Sequence, residues 1–259
     1  MLKSKELDQF YTSPSIAIKC YKKLCETVNI DNYHLVEPSA GSGSFSNLFH
    51  SNSTKLDLDP KINGIKKMDF FDYSHNIIEK TITIGNPPFG KNSSLAIQFF
   101  NKSADFSDYI AFIIPSTFKK VSIQNKLSLD MHLIQELEID KDSFIFEGEK
   151  YSVNCVFQIW QKKEEKRIKI KNKTVSNLFK FIDPVDKHNA DFAIRRVGVF
   201  AGKVIRDLDK YSPSSHYYIS GDIDLFISKY EEIQEIAKNA INPSISKHEL
   251  IEIIEKGLE

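Results

Sequence analysis

The chain has 259 residues, enough for one large domain or for one domain and a small appendage, and enough to bury a core without disulfide bonds. Basic and acidic residues both number 35, so the formal net charge is zero, and any contact with nucleic acid must come from a local basic patch or from the shape of a pocket. The three cysteines form no C-x-x-C pair and no apolar run approaches the roughly 20 residues of a membrane span, so we expect no disulfide framework, no bound metal and no membrane partner.

The predicted elements begin after a polar N-terminus. Residues 1–9 are polar and charged, unlike a signal peptide, so we expect a cytoplasmic or other intracellular soluble compartment. Apolar residues recur at helical spacing over 14–28, and Pro14 suits the first turn of that helix. Further helices are predicted over 45–50, 95–100, 120–130 and 244–257, and strands over 33–36, 55–58, 65–68, 81–84, 109–114, 133–139 and 153–160. Short strands that alternate with helices predict an α/β fold with helices on both faces of a sheet.

The composition changes over residues 161–174, where lysine and glutamate dominate. This stretch is the best candidate for a boundary between a main domain, 1–165, and a small C-terminal region, 175–259. The C-terminal region contains an irregular stretch over 195–203 and a loop rich in tyrosine and serine over 211–220.

A turn of small residues follows the first predicted strand and runs from Glu37 through Ser39 and Gly41 to Gly43. In open α/β sheets, ligands bind at the carboxyl ends of the strands, and small residues let the backbone approach them. Glu37 is suited to pair with a cationic amino group. An ordinary strand-to-helix turn has a similar composition, so this turn does not decide the function alone.

Carboxylates also follow the next two predicted strands. Asp57 and Asp59 end the second strand, and a carboxylate there can accept hydrogen bonds from both hydroxyls of a ribose. The two have the same strand parity, so the pattern does not choose between them. Asp69 and Phe70 follow the third strand, and a carboxylate beside an aromatic ring suits adenine. The alternative is a helix cap next to a core phenylalanine.

The fourth predicted strand ends at Asn86-Pro87-Pro88-Phe89, the most specific motif in the chain. Because the prolines have fixed φ and lack an N–H, the Asn86 side chain and the Pro87 carbonyl become rigidly held acceptors. Two acceptors on the N–H bonds of a planar amino group would free its lone pair and stabilise the positive charge that develops as it attacks. Phe89 would stack on the planar substrate. A proline-rich loop that simply ends a strand is the alternative.

In this order, the four motifs resemble those of the class I, Rossmann-like, S-adenosylmethionine-dependent methyltransferases, in particular the adenine-N6 DNA methyltransferases with an Asn-Pro-Pro-Tyr/Phe motif. The segment from Asp8 to Pro14 is similar to the N-terminal Phe-x-Thr-Pro segment of that family, with Ser13 inserted. The resemblance covers residues 8–120 and extends to a strand pair near 144–160, which is similar to the last hairpin of the fold. It implies a seven-stranded sheet.

The resemblance also implies a role for each matching residue. Asp57 would hold the ribose of the cofactor, Leu58 would lie against its adenine, and Asp69 would accept from the adenine amino group. The full cofactor-binding set that it implies is Thr12, Glu37, Ser39, Gly41, Asp57, Leu58, Asp69 and Phe70, and the catalytic set is Asn86, Pro87, Pro88 and Phe89. The intervals between the motifs are short, so one or two helices of the family are expected to be reduced to turns or lost.

By this resemblance, the domain over 1–165 would bind S-adenosyl-L-methionine and methylate the N6 amino group of adenine in DNA, and the region over 175–259 would recognise the substrate. Arg195, Arg196 and Lys203 are candidates for phosphate contacts. Adenine in RNA and the side-chain amide of glutamine present the same planar amino group, so both remain alternatives. A non-catalytic binding protein is a further alternative, against which the intact motif at 86–89 argues.

Overall fold

The computed structural model describes residues 11–49, 52–76, 78–140, 144–146, 149–151, 154–239 and 242–256. The chain divides into two compact units, the first ending at Lys169 and the second beginning at Ile170. Of the helices in the described part of the chain, none is long and apolar enough to cross a membrane.

The first unit contains most of the predicted strands. In chain order, its strands are β1 (Tyr11–Thr12), β2 (His34–Glu37), β3 (Ser53–Asp57), β4 (Lys66–Lys67), β5 (Thr81–Gly85), β6 (Tyr109–Pro115), β7 (Met131–Glu138), β8 (Phe144–Phe146), β9 (Glu149–Tyr151) and β10 (Cys155–Lys162). Its α-helices are α1 (Pro14–Thr27), α2 (Ser94–Phe106) and α3 (Val121–Gln124), and 3-10 turns cover Ile30–Asn32, Ser46–Leu48, Phe70–Asp72, Lys91–Ser93 and Ser116–Lys119.

Seven strands form one mixed sheet in the order β4-β3-β2-β5-β6-β10-β7, which confirms the predicted seven-stranded α/β sheet. Strands β2 to β6 pair in parallel with one another, whereas β10 is antiparallel to both β6 and β7. Every residue of β2 and β5 is buried, so both faces of the sheet centre are covered. The strand order switches direction between β2 and β5, and ligands bind in the crevice at such a switch point.

Helix α1 follows from the periodicity of its sequence. Its buried residues, Ile16, Ala17, Cys20 and Leu24, recur at three- and four-residue spacing. Pro14 opens the helix, where its missing N–H costs nothing, and Val28 ends it with an N–H bond to the carbonyl of Leu24, 2.8 Å long. The predicted helix over 14–28 is confirmed.

Two other predicted helices are wrong in extent. The helix predicted over 45–50 is a single 3-10 turn, Ser46–Leu48, and His50 lies outside the described residues. The helix predicted over 120–130 ends at Gln124. Beyond it, the N–H of Ser128 donates to Oδ1 of Asn101 at 2.8 Å, so a side chain on α2 replaces a helical carbonyl.

The last hairpin of the sheet differs from the prediction. Strand β10 pairs with β7 and β6, so the hairpin partner of 155–162 is 131–138 and not the segment near 144. Strands β8 and β9 form a separate hairpin whose outer partner is β1, and this small sheet joins Thr12 to the backbone of Phe144. Strand β10 confirms the predicted strand over 153–160 with a shift of two residues, and residue 153 lies outside the described residues.

The second unit is an antiparallel sheet with helices. Its strands are β11 (Phe179–Ile182), β12 (Phe192–Arg195), β13 (Val204–Ile205) and β14 (His216–Gly221), in the order β11-β14-β12-β13, and its helices are α4 (Ile223–Ser228), α5 (Tyr230–Ala237) and α6 (Lys247–Glu255). The predicted loop over 211–220 is wrong from His216 onward, since that part is β14. The predicted final helix is α6, which begins with a capping box between Ser246 and Glu249.

Candidate active site

One cavity of about 360 Å³ lies at the carboxyl ends of β2, β3 and β5. This volume is in the range of small-molecule sites. Ten of the twelve residues that the sequence predicts for catalysis or cofactor binding line it, namely Ser39, Gly41, Asp57, Leu58, Asp69, Phe70, Asn86, Pro87, Pro88 and Phe89. The sequence did not single out the other lining residues, which are Tyr11, Pro38, Met68, Phe71, Leu95 and Phe99.

The turn after β2 is bonded to the end of β3 through one carboxylate. The N–H of Gly41 donates to Oδ2 of Asp57 at 2.6 Å, and the N–H of Asp59 donates to Oδ1 at 2.7 Å. Gly41 has φ +51°, and a Cβ there would lie 3.1 Å from the ring of Tyr11. The Asp57 carboxylate is therefore fixed in orientation, and each of its oxygens has a second lone pair for a ligand.

The structure also separates the two aspartates that the sequence pattern left equivalent. Asp57 is half-buried and lines the cavity. Asp59 is exposed and forms an ion pair with Lys61. Of the two, Asp57 is therefore the one that can meet a ligand in this cavity.

Two apolar side chains of the cavity wall are open to solvent. Leu58 is 50% exposed and Phe71 is 39% exposed. Apolar side chains left exposed beside fixed polar groups are typical of ligand pockets, because a planar apolar ligand covers them.

The sequence left two interpretations open for Asp69 and Phe70, an adenine site or a helix cap beside a core phenylalanine. In the structure these residues have the features of both. Asp69 caps the 3-10 turn that follows it, with Oδ1 accepting the N–H of Phe71 at 2.8 Å. Phe70 is 1% exposed and packs on Phe99, with the ring centroids 5.0 Å apart. Both residues nevertheless line the cavity, and a carboxylate has lone pairs beyond the one used in the cap.

The motif at 86–89 is anchored on both sides. The hydroxyl of Ser39 donates to the carbonyl of Asn86 at 3.0 Å, which ties the motif to the turn after β2. The carbonyl of Phe89 accepts the N–H groups of Leu95 and Ala96 at 3.1 and 3.2 Å, which ties it to the start of α2. Phe89 is only 5% exposed and belongs to the core as well as to the cavity wall. The motif is thus a rigid part of the wall.

The backbone just after the motif is strained. Gly90 has φ +69°, and Asn92 and Ser93 have φ +54° and +62°, a region that residues with a side chain rarely adopt. Ser93 is fully buried, with its hydroxyl 2.8 Å from that of Thr117. Such strain persists where surrounding contacts hold it, often at functional sites. Sequence reasoning missed Ser93 and Thr117, since neither belongs to a recognisable pattern.

Glu37 lies behind the cavity wall and not in it. It is 2% exposed, its carboxylate accepts a hydrogen bond from Ser46, and Gly85 leaves room for it, since a Cβ there would be 3.3 Å from its Cγ. Burial raises the pKa of the Glu37 carboxyl from 4.5 to about 8, and the bond from Ser46 offsets this only in part. Glu37 is therefore mostly protonated at neutral pH.

Thr12, the other predicted residue outside the cavity lining, is also buried. Its side chain is 7% exposed, and its carbonyl accepts the hydroxyl of Ser44 at 2.6 Å. The preceding residue, Tyr11, is the one that lines the cavity. Residues 8–10 of the predicted N-terminal segment lie outside the described residues.

The predicted phosphate-binding residues lie in the second unit. Arg195 donates from Nε to the carbonyl of Val197 at 3.0 Å. The guanidinium of Arg196 lies 5.4 Å from the ring centroid of Tyr217, and Nζ of Lys203 lies 5.8 Å from that of Phe200. Lys203 is exposed, whereas Arg195 and Arg196 are half-buried.

No protein-family model matches the sequence, and no curated protein matches it. Solved structures with a similar fold include a protein of Pyrococcus horikoshii provisionally described as an RNA methyltransferase, with 16% identity and a TM-score of 0.48 over 60% of this chain and 87% of that one. Another, from Listeria monocytogenes, is provisionally described as a class I S-adenosylmethionine-dependent methyltransferase, with 14% identity and a TM-score of 0.42 over 63% of each chain. The 23S rRNA methyltransferase ErmE has 15% identity and a TM-score of 0.41 over 61% of this chain and 70% of that one.

Proposed function

We propose that this chain is an S-adenosylmethionine-dependent methyltransferase that methylates the N6 amino group of adenine in DNA. The observation that carries the proposal is the convergence of Asp57, Asp69 and Asn86 on one cavity at the switch point of the sheet. These side chains follow three different strands, so their meeting is a property of the fold and not of local sequence.

The cavity fits the parts of this cofactor. The fixed carboxylate of Asp57 suits the two ribose hydroxyls. The exposed Leu58 and Phe71 suit the faces of an adenine ring, and Asp69 suits its amino group. Bound there, S-adenosyl-L-methionine would supply a methyl group on a positively charged sulfur. We propose that Thr12 and Glu37, which are buried, support the wall behind the methionine part rather than contact it directly.

The motif at 86–89 suits the acceptor amino group. The Asn86 side chain and the Pro87 carbonyl would accept the two N–H bonds of an adenine amino group, so that its lone pair is free to attack. The bond from Ser39 and the anchoring of Phe89 on α2 hold these acceptors in position before the substrate arrives. An adenine can enter this cavity only when it has left the base stack, so a duplex substrate would be bound with the target base flipped.

We propose that the second unit recognises the nucleic acid. The cations at Arg195, Arg196 and Lys203 support this role, because contacts to phosphate provide most of the affinity for nucleic acid and fix its register.

The proposal is tested with the full chain, isotopically labelled cofactor and separate pools of DNA, RNA and protein. We expect label in DNA from the wild type and from the exposed-site control Asn76→Ala, and a rate lower by about 100-fold or more from Asn86→Ala, as for the loss of one preorganised group around a developing charge. Cofactor affinity, measured by calorimetry, should be unchanged in both variants. Label in RNA or protein alone would contradict DNA as the substrate, and equal rates in Asn86→Ala and Asn76→Ala would contradict the assigned site.

A further inference from the structure

The loop between β12 and β13 carries two apolar side chains that the second unit leaves uncovered. Val199 is 75% exposed and Phe200 is 55% exposed, whereas the next residue, Ala201, is 1% exposed. A single exposed apolar residue is ordinary, so the meaning of this pair depends on how the loop is held and on what surrounds it.

The loop backbone is fixed at several points. Nε2 of Gln234 donates to the carbonyls of Val199 and Ala201, at 3.1 and 3.3 Å. The N–H of Gly198 donates to the carbonyl of Pro243 at 2.8 Å. Gly202 has φ +93°, and a Cβ there would lie 2.5 Å from Cγ2 of Ile233, so only glycine fits. The tip is therefore displayed on a preorganised loop, and a partner that covers it has little ordering entropy to offset.

Cationic side chains lie near the exposed pair Val199 and Phe200. Residues 195–206 contain four cationic side chains and no acidic one, whereas residues 222–256, which include the helices of the unit, contain eight acidic and four basic side chains. Nζ of Lys203 lies 5.8 Å from the ring centroid of Phe200. The guanidinium of Arg195 lies against Gly198, whose Cβ would be 3.5 Å from Nη2. An uncovered aromatic ring with cations nearby suits a partner with planar rings on an anionic backbone.

We infer that the loop 197–203 contacts the substrate DNA, with Phe200 stacked on a nucleobase and with Lys203 and Arg195 paired with phosphates beside it. This inference rests on the proposed function and adds to it the contact surface and the mode of contact. Stacking on an aromatic side chain is tolerant of sequence, so the loop would provide affinity and position rather than sequence readout. Arg196 is not part of this loop contact, because its guanidinium lies over the ring of Tyr217, and its proposed contact with phosphate is separate from the loop.

The test is the affinity of the full chain for DNA, measured by fluorescence anisotropy for Phe200→Ala and for the control Ile227→Ala, which truncates another exposed apolar residue of the same unit. We expect Phe200→Ala to weaken binding about tenfold, Phe200→Trp to retain it, and Ile227→Ala to leave it unchanged. Cofactor affinity should be the same in all three.

A second experiment measures how the affinity for DNA depends on salt concentration. Lys203→Ala should lower the slope of log affinity against log salt concentration by about one, whereas Lys180→Ala, at the opposite edge of the four-stranded sheet, should leave the slope unchanged.

The outcomes separate the inference from the proposed function. If the wild type methylates DNA but Phe200→Ala binds DNA as tightly as Ile227→Ala, the inference is overturned and the proposed function stands. If the wild type binds cofactor but neither binds nor methylates DNA, the proposed function fails and the inference fails with it.

Discussion

At the scale of single residues, the site depends on which of two neighbouring carboxylates the turn after β2 fixes. Asp57 accepts two backbone N–H groups and lines the cavity, whereas Asp59 is paired with Lys61 in solvent. The sequence pattern could not separate them, because both have the same strand parity. What separates them is the bond from Gly41, a contact between segments that are distant in sequence and therefore invisible in a local pattern.

The two aspartates make a matched pair of variants. We expect Asp57→Asn to weaken binding of S-adenosyl-L-methionine by about 10- to 100-fold, the effect of losing hydrogen bonds to a charged group. Asp59→Asn should bind as the wild type does, because its partner is a surface lysine. Isothermal titration calorimetry measures both, and equal affinities in the two variants would contradict the assignment of Asp57 to the ribose.

A second prediction at this scale concerns the effect of Glu37 on how the stability of the folded chain depends on pH. Its pKa in the folded chain is about 8 and its ordinary value is 4.5, so between these values the folded state binds more protons than the unfolded state. The contribution of this group to stability is therefore fully present below about pH 4.5 and falls as the pH rises to about 8, by about 1.4 kcal/mol per pH unit at most.

The measurement compares Glu37→Gln with the wild type by urea denaturation from pH 5 to 8. The amide does not titrate, so the free energy of unfolding of the variant should rise relative to that of the wild type as the pH increases. A difference that stays constant across this range would mean that Glu37 ionises normally in the folded protein.

At the scale of elements, the junction between β5 and α2 is tightly constrained. Gly90 has φ +69°, and a Cβ there would lie 2.8 Å from Cβ and 3.0 Å from the backbone N of Leu95. Gly64 has a similar φ of +86° but nothing within 4 Å of its Cβ position. Substitution of Gly64 therefore measures the cost of the backbone conformation alone, without the steric clash that is present at Gly90.

We expect Gly64→Ala to cost about 1 kcal/mol of stability, the ordinary penalty for a left-handed residue with a side chain. Gly90→Ala should cost more, because α2 would have to move, and it should also lower the methylation rate by displacing the motif at 86–89. Thermal unfolding and initial rates check both effects. If Gly90→Ala loses no more stability than Gly64→Ala and keeps full activity, the junction is not rigid.

The strands of the seven-stranded sheet could be predicted from the sequence to within a few residues, because most of them are short β-branched or apolar runs that end at proline, glycine or aspartate. The residue pattern does not predict the short strands β1, β8 and β9. The second unit could not be predicted in this way. Its strand β14 contains His216, Tyr217 and Ser220, which have the composition of a loop, and it is a strand because His216 and Tyr218 are buried. Tertiary burial overrides local composition there.

At the scale of the whole molecule, the net charge of zero gives no sign of a nucleic-acid partner, but the charges are unevenly distributed along the second unit. Cations collect at residues 195–206 and acidic residues collect over 222–256. The first unit provides a cavity whose polar groups suit a nucleoside and an amino group. In the proposed function, the first unit would bind the cofactor and the target base, and the second would contact the backbone of the nucleic acid.

The most direct measurement is the identity of the methylated product. Unmethylated DNA is incubated with the full chain and S-adenosyl-L-methionine, digested to nucleosides and separated by liquid chromatography with mass detection. We expect N6-methyldeoxyadenosine in the wild-type reaction and its loss with Asn86→Ala. Methylation of cytosine or of a ring nitrogen, or no modified nucleoside while the protein binds the cofactor, would contradict the account.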